Sequence, residues 1–168
     1  MPMIEMQIGD QTIRYDHEAT VAVYEKIEHG WAEKCGCAGC RNFAAQRDVV
    51  YPPSFRALLD QLGIDPIKES EIDEYGPIMD GYPHDRLHFY DGWLSFVGEL
   101  VTDGGGLAKA ADAHEFEFWF SPGLPAHAEF RSGPYLTVEF KTHVKWVLQE
   151  GPEYRTAARR QSTTDTKP

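Results

Sequence analysis

The chain has 168 residues, 42% hydrophobic and 12% aromatic, with a net charge of −11. That length and apolar content suit one globular domain with its own core and exclude a disordered chain. Residues 151–168 hold four basic and two acidic residues, which leaves −13 on residues 1–150. An acidic body repels phosphate backbones and anionic membranes, so neither nucleic acid nor a membrane is an expected partner.

Met3 to Ile8 and Gln11 to Tyr15 alternate around Gly9-Asp10. Ile4, Met6 and Ile8 share one face, and the pair reads as a hairpin. Thr20 to Ile27 is β-branched and aromatic and reads as a third strand, and Trp31 to Cys35 as a short fourth. Cys40 to Val50 has helical spacing. Pro53 suits the first turn of a second helix over 54–62, with Phe55, Leu58, Leu59 and Leu62 as its apolar stripe and Gly63 as its stop.

From Lys68 onward the strand signal dominates. Glu69 to Tyr75 alternates until Gly76-Pro77. Arg86 to Tyr90 and Trp93 to Val101 flank Asp91-Gly92, a favoured two-residue turn, and predict a hairpin. Gly104-Gly105-Gly106 reads as a loop. Glu115 to Phe120 places Phe116, Phe118 and Phe120 on one face, and Tyr135 to Leu148 forms a last long strand region. The predicted fold is α+β, a mostly antiparallel sheet of about eight strands with two consecutive short helices. Residues 1–150 make the single domain, and residues 151–168 read as a polar, flexible tail.

All three cysteines stand in one window, Cys35-Gly36-Cys37-Ala38-Gly39-Cys40. On a strand Cys35 and Cys37 project to one side, and Cys37-x-x-Cys40 lets two thiolates share one ion across a tight turn. Thiolates are soft ligands, and zinc is the expected metal because it takes four-coordinate thiolate sites without redox chemistry. The fourth ligand is not evident. His29 is the nearest candidate before the motif, Asp48 lies just after it, and His84 with His88 offers a pair. Gly36 and Gly39 read as backbone hinges on either side of Cys37.

Two other readings compete. Cys37-Ala-Gly-Cys40 between a strand and a helix has the local context of a redox dithiol, although the βαβ frame of a thioredoxin-like fold is missing. Alternatively, the thiols merely pack a turn as small half-buried side chains. Catalysis has little other support. Ser54, Ser95, Ser121 and Ser132 lack a nucleophile elbow, and the glycine run lacks a phosphate loop's lysine. His114 with Glu115 and Glu117 reads as a solvent face, and His127 with Glu129 as surface loop. Trp31, Trp93, Trp119 and Trp146 fall on four predicted strands. An exposed cluster of Trp93, Phe118, Trp119 and Trp146 would make a protein-binding sheet face.

The run Cys35-Gly-Cys-Ala-Gly-Cys-Arg-Asn-Phe43, with Tyr51-Pro-Pro-Ser-Phe55 and Leu62-Gly-Ile-Asp65, resembles a group of uncharacterised bacterial proteins. These pair a Cys-rich turn ending in Cys-Arg-Asn-Phe with a short helix ending in Leu-Gly-Ile-Asp. The resemblance covers residues 30–100 and implies a bacterial, cytoplasmic protein; it brings no activity, substrate or cofactor. An odd cysteine count and an N-terminus without a basic patch and apolar run agree with a reducing compartment. The expectation is a non-enzymatic zinc-binding domain held by Cys35, Cys37, Cys40 and His29.

Overall fold

The computed structural model describes residues 3–77, 87–110, 112–113 and 115–151. Its strands are β1 (Ile4–Ile8), β2 (Gln11–Tyr15), β3 (Glu71–Pro77), β4 (Leu87–Thr102), β5 (Ala108–Lys109), β6 (Glu117–Ser121) and β7 (Tyr135–Lys145). Between β2 and β3 stand five helices: α1 (His17–Tyr24), α2 (Trp31–Cys35), α3 (Ala38–Ala44), α4 (Arg47–Val50) and α5 (Pro53–Leu62). The strands form one antiparallel sheet in the order β1-β2-β4-β7-β6-β5, with β3 also paired to β4. The α+β class stands as the sequence predicts, with seven strands among the described residues and more helix than expected.

Two predicted strands are helices. Asp16 caps α1, its Oδ1 accepting from Ala19 N at 2.9 Å. Thr20 Oγ1 donates to Asp16 O and accepts from Val97 N at 3.0 Å, while Tyr24 Oη donates to Ser95 O at 2.8 Å. These contacts repeat at helical spacing, so cap and tertiary bonds override β-branched propensity across 20–24. Trp31–Cys35 is too short for a period to show, and its Ala, Glu and Lys favour helix. The helix predicted over Cys40–Val50 is broken into α3 and α4 at Ala45 and Gln46.

The predicted hairpin at Asp91-Gly92 is also absent. Both residues lie inside the sixteen-residue β4. Gly92 sits on the core face, where a Cβ would meet Glu71 O at 2.7 Å and Phe140 Cζ at 3.0 Å. The glycine is there because the core approaches the backbone, not because the chain reverses.

The core lies between the helices and one face of the sheet. Phe43, Tyr51 and Phe55 descend from the helical layer onto Tyr90, Phe116, Phe118 and Phe140. The Phe116 and Phe140 rings stack at 5.6 Å between centroids, and Phe55 meets Phe116 at 4.7 Å. The α5 stripe is buried as predicted, Pro53 opens the helix, and Gly63 closes it at φ 76°. Phe116, Phe118 and Phe120 share the core face. His84, His114 and the tail from Pro152 lie outside the described residues. No helix among those described is long and apolar enough to cross a membrane.

Candidate metal centre

The cysteine window joins two helices, not a strand and a helix. Cys35 ends α2, Gly36 takes the left-handed conformation at φ 63°, and Cys37 caps α3 in an extended conformation. Gly36 N–H returns to Ala32 O, which closes α2 and turns the chain back on itself. Cys37 Sγ accepts from Cys40 N at 3.5 Å. One left-handed glycine therefore folds a six-residue stretch so that all three thiols converge.

The three Sγ atoms lie within 4.8 Å of one another. Zinc–sulfur bonds of about 2.3 Å in a tetrahedron set sulfurs roughly 3.8 Å apart, so a contraction of about 1 Å would close the group on an ion. Cys35 is exposed, Cys37 half-buried and Cys40 buried, so the cluster runs from surface to core. Cys40 Sγ also reaches Ile72 O at 3.9 Å. Burial pushes the Cys40 thiol well above the ordinary cysteine range, and hydrogen bonding from its S–H to the Cys35 and Cys37 sulfurs adds to the shift. Without a cation Cys40 is therefore a neutral thiol. A bound metal ion would reverse that preference.

Gly39 plays a different part from Gly36. Its backbone is ordinary helix, but a Cβ would stand 2.9 Å from Glu74 Cβ. The missing side chain lets α3 lie directly on β3. Tyr90 Oη donates to Gly39 O at 2.9 Å. Asn42, fully buried, reaches Tyr90 Oη at 3.3 Å and Lys145 O at 3.1 Å through Nδ2, and its Oδ1 accepts from Val147 N at 2.8 Å. These bonds pin the cysteine-bearing helix to β4 and the end of β7.

A second buried group fixes α2. Trp31 N donates to Glu69 O at 2.9 Å. Arg47 grips Glu69 through Nε at 2.5 Å and Nη2 at 2.9 Å, and its Nη2 also meets Glu33 of α2 at 2.9 Å. Burial raises the Glu69 carboxyl pKa even with Arg47 beside it. The same guanidinium thus braces α2, α4 and the entry to β3, the frame around Cys35. No pattern of spacing in the sequence announces this pair.

The other predicted residues are dispersed. His29 is exposed, with Nε2 3.4 Å from Glu28, and stands outside the thiol group. His88 faces the core, its Nδ1 2.5 Å from Glu74 Oε1, with its ring 4.8 Å from that of Trp146. His127 is buried rather than on a surface loop, its Nε2 held between Lys68 O and Glu69 O at 3.1 and 3.0 Å. Glu115 pairs with His143 at 2.6 Å and Glu117 with Lys141 at 2.9 Å. Phe118 and Trp146 are buried, whereas Trp93 and Trp119 are half-buried. Among the described residues the cysteine trio is the one set of three or more Cys, His, Asp or Glu ligand atoms so closely gathered.

What fold and site define together is an α+β domain with a three-thiol cluster at a helix–helix junction. Comparison with protein-family models, curated proteins and solved structures found no match.

Proposed function

We propose that Cys35, Cys37 and Cys40 bind a metal ion, zinc, in a structural or accessory role. The carrying observation is the convergence of three sulfurs within 4.8 Å at a junction shaped by a left-handed glycine. Thiolate softness favours zinc over hard cations. The fourth position falls to water, to a partner's group, or to His29 once it leaves Glu28. A dithiol oxidoreductase using Cys37 and Cys40 has less support, because the pair lies between two short helices beside an antiparallel sheet, without the βαβ frame of a thioredoxin-like fold. Thiols held free for a metal suit a reducing compartment, so we assign the protein to the bacterial cytoplasm, in line with its sequence resemblance.

Cobalt(II) substitution tests the site. The chain should take up cobalt with the intense sulfur-to-metal bands of a tetrahedral thiolate complex, and Cys35→Ser, Cys37→Ser and Cys40→Ser should each weaken them. A His29→Ala variant reads the fourth position, since loss of an imidazole ligand moves the bands. Cobalt that keeps its aqueous octahedral spectrum at saturating metal would rule the centre out. Removing the ion should loosen residues 30–42 without unfolding the sheet, because Cys40 is the one buried thiol in the core and the aromatic rings pack chiefly on one another.

A further inference from the structure

The sheet face turned away from the helices has its own chemistry. Cross-strand register places Glu71, Trp93, Glu139 and Trp119 in one row over β3, β4, β7 and β6. In the adjoining row Asp73 lies directly opposite Asp91. Like charges so placed repel each other and destabilise a sheet unless something neutralises them. The two lysines on this row, Lys141 and Lys109, both pair with Glu117, at 2.9 and 3.5 Å. No basic group among the described residues forms an ion pair with Glu71, Asp73, Asp91 or Glu139. Tyr75 hydrogen-bonds the Asp91 carboxylate, yet Asp91 Oδ1 is buried with no hydrogen-bond partner. Carboxyl pKa values at Glu71, Asp73 and Asp91 are raised by burial, and at Glu71 and Asp91 also by neighbouring carboxylates.

We propose that this face docks an extended, arginine- or lysine-rich segment of a partner protein. Trp93 and Trp119 flank Glu139 on its two sides, roughly 10 Å apart by strand spacing. That width admits one guanidinium or alkylammonium stem above a carboxylate and between two indoles, joining charge pairing to cation–π contact. Trp93 is held in place by its Nε1 bond to Pro125 O at 2.7 Å, which leaves the ring to act as a fixed wall. A single divalent ion fits less well. The carboxylates are spread along two rows, and no three of them gather as the cysteine sulfurs do. A run of cations spaced along an extended chain matches the spread. This docking surface is separate from the thiol cluster and does not depend on it.

Titration of the full chain at low ionic strength with the peptide acetyl-Arg-Gly-Arg-Gly-Arg-amide, read by indole fluorescence, tests the proposal. A saturable change is expected, weakened about tenfold in an Asp91→Asn, Glu139→Gln variant and abolished with the citrulline analogue. The variant relieves repulsion, so its melting temperature should equal or exceed the parent's, which separates lost binding from lost folding. The Trp119→Phe variant should bind more weakly while Trp93 still reports. Three outcomes would overturn the proposal: no saturable response, equal affinity in the neutralised variant, or a response to calcium but none to the peptide.

Discussion

Arg47→Met should cost about 3–5 kcal/mol of stability at neutral pH, the penalty for leaving a buried charge without its partner. The Glu69 side chain is fully buried and takes two bonds from Arg47. Tyr51 Oη, at 3.5 Å, is too weak a donor to replace them. The pH dependence fixes the cause. Burial already raises the folded-state pKa of Glu69 above its unfolded value, and loss of Arg47 raises it further. The folded variant then binds a proton that the unfolded chain releases, so stability falls as pH rises from the unfolded glutamate value, about 4.3, through the folded one. The penalty should therefore be largest at pH 7 and shrink as pH is lowered towards that unfolded value. Urea denaturation of parent and variant across this range measures it. Adding Glu69→Leu to Arg47→Met should recover most of the loss, because an apolar pair needs no partner. A penalty independent of pH, or a double variant no better than the single, would show that Arg47 acts by packing alone.

Asn42→Leu is the second large effect, about 2–3 kcal/mol, although the branching and the number of side-chain heavy atoms are kept. Leucine cannot accept from Val147 N, now bonded to Asn42 Oδ1 at 2.8 Å, and an orphaned backbone donor in a part-buried site carries that cost. Lys145 O and Tyr90 Oη lose less, since Gln46 still reaches the first at 2.7 Å and the second still donates to Gly39 O. The consequence for the site is larger than for the fold. Asn42 is on α3, two residues after Cys40, and fixes that helix to the sheet. The variant should bind metal more weakly while the aromatic core stays ordered. Amide exchange tests this split: faster exchange should be confined to residues 38–46 and 145–151, and uniform acceleration across β4 and β7 would contradict it.

What could be read from sequence was local. The α5 stripe, Pro53 and Gly63 together state a helix and its ends, and the alternation around Gly9-Asp10 states the hairpin of β1 and β2. The cysteine cluster was legible as a meeting of thiols because contiguity alone keeps them near. Gly36 was rightly read as a hinge, whereas Gly39 answers to Glu74, far away in sequence. The same kind of distant cause defeated the reading of Asp91-Gly92, where Phe140 and Glu71 decide what the glycine does. Thr20 and Tyr24 carry strand propensity but bond to Asp16, Val97 and Ser95 at helical spacing. Arg47 and Glu69, twenty-two positions apart, form a pair that no short-range pattern reveals. The acidic outer face was hidden similarly, since it exists only once β3, β4, β7 and β6 lie side by side.

The metal content of the purified chain bears most directly on the proposed centre. Protein prepared without added metal and without chelator should carry about one equivalent of zinc per chain by elemental analysis, protecting its thiols from alkylation. The Cys35→Ser, Cys37→Ser, Cys40→Ser triple variant should carry none. Metal far below one equivalent, with all three thiols freely alkylated after zinc is supplied in excess, would contradict a metal centre at this junction.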